Sequence, residues 1–578
     1  MQHSFSVRST LIPLLLIFIV PFLHSQPPKY EVRAVWISAA SGDWPRSNDA
    51  AEQQRSLIDI FDLLKRNNFN TVFFQVRPRG NVLYRSSIEP WAPQLAGVMG
   101  KDPGYDPLEF AVEQAHKRGL EIHAWFNVAK VWGSEQLPQN PQHVTRTHRN
   151  WVKMVENEWW LDMGIPEARD YTERLVSEII STYDVDGIHF DYVRYPSDKF
   201  DDWGSFSKWS DGVERSEWRR NNITAFVRDC YTMVQKERPW IKVGSAPLGI
   251  YQSIAGAQST FNGYSGVFQD SRRWLRERIH DYIAPQLYWS IGEQKNPNDP
   301  DFFALSNDWV QENYDRHVYI GIGAYRENVQ SELREQVITT RVEGANGQAF
   351  FRYENIGTVL SKIGELYKYP VLFPVMSWKD SVPPNSPKSI SVNAHNGNAV
   401  VRWSEPDASS DKEKPVRYIV YRSLQKDVDT KRAENIIAVI PSSERSFRDE
   451  NIGEKQFSYT VTAVDRAGNE SGRTGTTVTE VQSLFSRYSR PQQRIALLQS
   501  SSSAVSGKAY ICYELPKRTM VTIALRPAAA TQESVVVRQI KEAGMHILSV
   551  DTKLYPPGAI EYRLSADGTS ATGTIETR

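Results

Sequence analysis

The stretch Asp186-Gly187-Ile188-His189-Phe190-Asp191-Tyr192-Val193-Arg194-Tyr195-Pro196 decides how the rest of the chain is read. Ile188, Phe190, Tyr192 and Val193 favour an extended, pleated backbone. Gly187 marks the entry from a loop, and Pro196 stops the ladder by removing a donor. Charge and aromatic rings crowd the C-terminal end, at Asp191, Tyr192, Arg194 and Tyr195. In a parallel α/β barrel, strand ends of that kind face the loops that assemble a site, and an inward carboxylate there is costly to keep without a task. The plainer reading is a buried Asp191–Arg194 pair that ties a loop down.

On both sides of this stretch short apolar runs alternate with amphipathic ones. Strands are expected over 31–38, 71–78, 120–127, 242–248, 282–289, 317–325 and 347–353. Helices are expected over 49–67, 107–118, 167–182, 215–237, 271–278, 302–314, 329–343 and 357–367. With the opening stretch this makes eight strands, each followed by a helix: an α/β chain folded as a (β/α)8 TIM barrel over residues 30–370. An open doubly wound sheet would carry a glycine-rich phosphate turn after its first strand, and Ser41-Gly42-Asp43-Trp44-Pro45 is not one. Beyond Val382 the pattern changes. Pro383-Pro384-Asn385-Ser386-Pro387 reads as a linker, and alternating strands over 399–403, 417–423 and 457–465 read as a β-sandwich spanning 383–482. Polar, serine-rich residues 484–506 read as a second linker before a second β-sandwich domain over 507–578.

Composition narrows the partners. The 578 residues carry 68 basic and 68 acidic side chains, a balance that argues against nucleic acid as the main target. Cys230 and Cys512 fall in separate domains, so no disulfide framework exists, and no Cys/His cluster implies a metal or other cofactor. Residues 1–25 read as a secretory signal: Arg8, an apolar run from Leu11 to Leu23, then Ser25 before Gln26. The run is shorter than the roughly 20 apolar residues a membrane span needs, so export is expected.

Several motifs carry a family resemblance. They are Arg33-Ala34-Val35-Trp36-Ile37 with Asp43-Trp44-Pro45, Gln75-Val76-Arg77-Pro78-Arg79-Gly80 with Tyr84 and Pro90-Trp91, and Asp106-Pro107-Leu108. His123-Ala124-Trp125-Phe126-Asn127, the opening stretch, Ala246-Pro247-Leu248-Gly249-Ile250 and 281–289 complete them. Residues 30–370 resemble the YddW-like (glycosyl-hydrolase-10-like) family, which implies a glycosidase acting on peptidoglycan glycan strands stripped of their peptides. Trp403, the run 418–422, the run 459–465 and Gly468-Asn469-Glu470-Ser471 resemble a fibronectin type III domain. Tyr513-Glu514-Leu515-Pro516, Ala543-Gly544-Met545-His546 and 557–564 resemble a C-terminal sorting or hook-capping Ig-like domain, which implies attachment at the cell surface.

Glycoside hydrolysis usually needs two carboxyl groups across the scissile bond. Asp191 is the first choice, as nucleophile or base, with Arg194 keeping it ionised. Its partner stays open among Asp43, Glu354 and Glu89, while Asp270 reads as a helix cap. Arg77 and Arg79, two apart on one strand, share a side; they would fork onto a sugar carboxylate such as a lactyl group, or form structural ion bridges. Asn127, Gln286 and Tyr288 suit hydroxyl or N-acetyl groups. Trp91 and Trp289, like Trp44 and Trp125, offer stacking platforms or core. His189 and His123 read as hydrogen-bonded core histidines. The expected function is an exported glycosidase acting on a cell-envelope polysaccharide; the alternative is a non-catalytic glycan-binding barrel.

Overall fold

The structure is a computed structural model that describes residues 27–577 apart from 293–299, 396, 451, 454, 476, 479–495 and 504–507. The expected signal at 1–25 lies outside the described residues. Eight parallel strands form the first body: β1 (Val32–Ile37), β2 (Thr71–Arg77), β3 (Glu121–Asn127), β4 (Gly187–Asp191), β5 (Lys242–Ser245), β6 (Tyr282–Ile283, resuming at Gln286–Leu287), β7 (His317–Ile322) and β8 (Gly347–Phe350). Each is followed by a helix: α1 (Ala50–Arg66), α2 (Pro107–His116), α3 (Pro166–Thr182), α4 (Arg215–Glu237), α5 (Ser271–Arg276), α6 (Phe302–Gln311), α7 (Leu333–Glu343) and α8 (Ile356–Ile363). The ring closes because β8 pairs with β1, Val32 opposite Gly347, and β6 pairs with both β5 and β7. This is the expected TIM barrel.

Local chemistry sets the helix starts. Asp49 accepts the Glu52 N–H at 2.8 Å, and Asp106 caps α2 ahead of Pro107, whose ring is preset for a first helical turn. Leu57, Ile60, Phe61 and Leu64 then bury one face of α1. Three details depart from the sequence pattern. The strand expected over 282–289 is broken at Ala284-Pro285, where proline has no N–H for the ladder. The helix expected over 329–343 is two pieces, Glu327–Gln330 and Leu333–Glu343. An antiparallel sheet of Lys130–Trp132, Val152–Val155 and Glu158–Leu161 is inserted between β3 and α3, its strands too short to register as alternation.

The barrel interior is aromatic and polar together. Trp36 Nε1 donates to His189 Nε2 at 3.0 Å; His189 Nδ1 and His123 Nδ1 lie 3.0 and 2.7 Å from the Tyr282 hydroxyl; His123 Nε2 lies 3.3 Å from Glu121. Indole is a donor only and carboxylate an acceptor only, so every proton along this line is assigned: His189 Nδ1–H donates to Tyr282, Tyr282 to His123, and His123 Nε2–H to Glu121. Burial, with His123 and His280 nearby, holds the His189 pKa well below its ordinary value, which keeps it neutral. The rings fit because facing strands lack side chains: a Cβ at Gly187 would stand 2.5 Å from His123, and one at Gly244 would stand 2.4 Å from the Tyr282 ring.

At the N-terminal mouth, Phe373 and Met376 join this core, and Trp378 Nε1 donates to Asp281 at 2.9 Å. A β-sandwich then docks on the same mouth. Its sheets are Ile390–His395, Asn398–Trp403 and Ser446–Asp449 against Ile436–Pro441, Arg417–Ser423, Ser458–Val464 and Thr477–Val478. Trp403, Tyr418, Val420, Tyr459 and Val461 fill the space between them. Arg417 stacks 4.6 Å from the Phe373 ring centroid and lies 3.8 Å from Glu121, which Lys242 holds at 2.6 Å; Arg466 grips Asp184 with two nitrogens at 2.9 and 3.0 Å. The proline-rich run therefore separates two folds that are bonded to each other. Residues 27–488 form one compact unit.

The second unit stands by itself. Ala496–Ser503, Lys508–Leu515 and Gly544–Asp551 face Ser534–Lys541, Thr519–Pro527, Gly558–Ala566 and Thr569–Thr577 across Ile511, Val521, Ile523, Leu548 and Leu564. Residues 496–503, expected as linker, are a strand, because a backbone ladder does not require apolar side chains. No helix among the described residues is long and apolar enough to cross a membrane.

Docking through buried charge is expected to make barrel and sandwich one cooperative unit. Arg417→Ala takes the stacking from Phe373 and the second cation from Glu121, which stays on Lys242, and is expected to cost about 1–3 kcal/mol; calorimetry of residues 27–482 is expected to show one transition that the substitution shifts as a whole. Two transitions, with the barrel midpoint unmoved, would contradict this docking.

Candidate active site

A cleft opens at the C-terminal ends of the strands, and Asp191, the last residue of β4, stands in it. Just past Asp191 the chain turns at Tyr192, whose φ of +49° is left-handed. That conformation costs a tyrosine on the order of 1 kcal/mol. The turn folds the Tyr192 N–H back onto Asp191 Oδ1 at 2.7 Å. Trp125 Nε1 donates to Oδ2 at 3.3 Å, and Gln286 Nε2 lies 3.4 Å from Oδ1. Burial nevertheless dominates: against the Tyr192 N–H, the Arg194 charge and the Trp125 donor, it pushes the Asp191 carboxyl up to about 6.

The Arg194 charge acts in the expected direction, toward the ionised carboxylate, but burial outweighs it. The Arg194 guanidinium donates to the Tyr195 carbonyl at 3.0 Å and packs 5.2–5.8 Å from the ring centroids of Trp160, Tyr192 and Phe261. It lines the cleft beside Asp191 without closing an ion pair among the described residues.

Arg79, Trp125, Asn127, Gln286 and Tyr288 also line the cleft, so six of the expected residues meet around Asp191. Asn127 spends its amide on the Pro78 carbonyl at 2.6 Å, and its buried Oδ1 has no partner. Gln286 also donates to the Ala246 carbonyl at 3.0 Å. Tyr288 stacks on Phe351 with centroids 5.5 Å apart. Arg79 extends beside Gly133, where a Cβ would come within 2.1 Å of its Nη1.

The remaining expected residues are placed elsewhere. Arg77 and Glu89 bury each other: Nε to Oε2 is 2.8 Å, the Tyr171 hydroxyl donates to Oε1 at 3.0 Å, and neither charged group is exposed. Neither lines the cleft. The even spacing of Arg77 and Arg79 does not put them on one side, because β2 ends at Arg77 and Arg79 lies in the loop beyond it, where strand alternation no longer holds. Asp43 braces its own loop, accepting N–H from Ser38 at 2.9 Å and Glu354 at 3.0 Å and pairing with Arg352. Glu354 sits half-exposed on the rim, paired with Arg46. Trp91 bridges to Val82 through its backbone, and Trp289 fills the space beside Gly249; neither lines the cleft. Asp270 caps α5, as expected.

Two features were not legible in sequence. Trp36 and Phe351 supply aromatic surface to the cleft, Trp36 with its N–H turned inward to His189. Glu158 arrives on the inserted sheet, paired with Lys130, and its charge bears on both Tyr192 and Arg194. No strand-end position marks it. Among the described residues, Asp191 is the only carboxylate lining the cleft itself.

A model described as "Glycosyl hydrolase-like 10" matches residues 31–338, more than half of the chain. The chain belongs to this family. Glycosyl hydrolase YngK of Bacillus subtilis (strain 168) is 31% identical over 489 residues, covering 78% of this chain and 94% of the relative. Glycosyl hydrolase DigH of Escherichia coli (strain K12) is 32% identical over 352 residues, covering 54% and 79%. A solved endo-β-1,4-mannanase from Thermotoga petrophila, 9% identical, has a TM-score of 0.37 over 78% of this chain and 98% of that one, too distant a likeness to bear on function. In this glycosyl hydrolase-like 10 chain the family match spans the barrel strands that deliver Asp191, Arg79, Asn127 and Gln286.

Two outcomes separate cleft from scaffold. Glu89→Gln leaves Arg77 buried without its partner and is expected to cost about 3–5 kcal/mol, read as a lower denaturation midpoint. Trp125→Phe removes a donor to the ionised carboxylate, so the Asp191 titration near 6 should move upward in difference carbon NMR against Asp191→Asn; a downward move would refute the assigned contact.

Proposed function

We propose that this protein is an exported glycoside hydrolase that cuts a carboxylate-bearing amino-sugar glycan, the peptide-free glycan strands of peptidoglycan, with Asp191 moving the proton. The observation that carries this reading is the state of Asp191: a cleft carboxyl titrating at about 6 is matched to giving a proton to a leaving oxygen and taking one back near neutral pH. The orphan Asn127 Oδ1 supports an amino-sugar, since an acetamido N–H or a hydroxyl would satisfy it. Arg79 and Arg194, two cleft cations outside any ion pair among the described residues, support a carboxylate on the sugar. Trp36, Trp125 and Tyr288 offer ring surface for stacking.

Paired-carboxylate catalysis assigns the second role to Glu158, whose charge bears on the cleft residues Tyr192 and Arg194 even though it pairs with Lys130, in place of Asp43 and Glu89, buried against Arg352 and Arg77, and Glu354, out on the rim with Arg46. Asp191 protonates the glycosidic oxygen as its bond to the anomeric carbon breaks, and Glu158 takes a proton from the attacking water. The apolar run at 11–23 supports export, and the C-terminal sandwich would act as a sorting-like domain that holds the enzyme at the envelope. The presence of a single carboxylate in the cleft lining favours a second reading, a glycan-binding protein without turnover.

Turnover of peptide-free glycan strands by the chain from residue 26, followed by reducing ends and product masses, tests both. Asp191→Asn is expected to lower the rate by about 10²–10⁴, and Glu158→Gln to lower it by a factor in the same range. Because Asp191 acts protonated, kcat/KM should fall as pH rises through about 6. Tight binding with no products from the parent chain would establish the second reading instead.

A further inference from the structure

The inserted sheet has two sides. Successive residues of Glu158–Leu161 point to opposite faces. Trp160 meets Tyr192 with ring centroids 5.6 Å apart and Arg194 at 5.2 Å, on the cleft side. Trp159 contributes to a separate open groove with Arg146, Arg149, Asn150, Lys153 and Met154. Of its cations, Arg146 and Arg149 belong to the groove, and the lining has no carboxylate; Lys153 borders it but stands opposite Trp160 in the ladder, so its side chain lies on the cleft side. Arg146 donates Nε–H to the Pro138 carbonyl at 2.9 Å. Arg149 lies 4.1 Å over the Trp159 ring, with Nη1 3.5 Å from the Val152 carbonyl. One carbonyl each, and for Arg149 a ring face, meet part of these guanidinium groups and leave the charge outside any ion pair among the described residues. The contrast within the barrel is clear: Arg77, Arg215, Arg219 and Arg341 each meet a carboxylate. Met154 is 45% exposed beside the cations, so the groove presents apolar surface next to concentrated positive charge.

We propose that this groove is a second, non-catalytic binding site for a polyanionic glycan strand, the carboxylate-bearing polymer that the cleft is proposed to cut. The groove's charge stands on the geometry alone; the identity of the strand rests on the function proposed above. Repeated carboxylates reach two sets of cations that form no ion pair among the described residues, Arg79 and Arg194 in the cleft and Arg146 and Arg149 in the groove. A polymer engages both sets, and the second contact forms at the high effective concentration set by the first. A short oligosaccharide engages one.

The test uses the chain from residue 26 with Arg146→Gln and Arg149→Gln combined. Binding is measured on an Asp191→Asn background, with peptide-free peptidoglycan strands, the same strands with amidated carboxylates, and a neutral N-acetylglucosamine polymer. The double variant is expected to bind the native strands about tenfold more weakly and with a flatter salt dependence. Amidated and neutral polymers should bind the parent as weakly as native strands bind the variant. With Asp191 restored, the parent's preference for strands over a tetrasaccharide, as a ratio of kcat/KM, should fall about tenfold. Arg146→Lys with Arg149→Lys keeps the charge and should keep the binding, which separates charge from folding damage. Equal binding of native strands by parent and double variant, or equal binding of native and amidated strands by the parent, overturns the proposal. If no glycan is cut yet binding still depends on the two arginines, the groove stands and the hydrolase reading falls. If strands are cut with the same polymer preference by both chains, the groove falls and the hydrolase reading stands.

Discussion

A line of hydrogen bonds down the barrel interior, from Trp36 through His189, Tyr282 and His123 to Glu121, ties the two ends of the molecule together. Each of these groups would be costly to bury unpaired, and the donor-only indole and acceptor-only carboxylate leave a single arrangement of protons. The upper end turns the Trp36 N–H away from the cleft, leaving its ring among the cleft walls. The lower end places Glu121 between Lys242 and Arg417, where the β-sandwich docks. Cleft floor and domain docking are therefore two consequences of one network.

Around the cleft the balance between burial and charge decides roles. Arg77 and Glu89 show charge fully satisfied: buried together, forked, and closed to ligand. Asp191 shows the opposite, a carboxyl whose burial outweighs the groups that would keep it ionised. Arg79, Arg194 and the two arginines of the outer groove show charge outside any ion pair among the described residues. The overall balance of 68 basic and 68 acidic residues conceals this local asymmetry, so net charge alone says little about which glycan the surface would hold.

Much of this was legible in the chain. The helical faces of α1 and α4, the eightfold alternation and the position of Asp191 at a strand end follow from periods of 3.6 and 2 that any buried face imposes. What failed to read had physical causes. The strands of the inserted sheet are three or four residues long, below the length at which alternation is visible, so Glu158 and both sides of that sheet went unseen. β2 ends at Arg77, so the even spacing that placed Arg77 beside Arg79 does not carry across the strand end. Asp43 follows the first strand and Glu354 the last, but ion pairs with Arg352 and Arg46 occupy them.

The sequence by itself determined the barrel, the sandwich order and the carboxylate at the end of β4, because these depend on local pattern and composition. Tertiary structure alone decided which charges meet. Whether an arginine lies in an ion pair or faces open space depends on contacts between residues far apart in the chain, such as Arg417 with Glu121 or Arg352 with Asp43. No local period encodes those contacts, and through them the structure separates the residues that hold the barrel together from those free to meet a substrate.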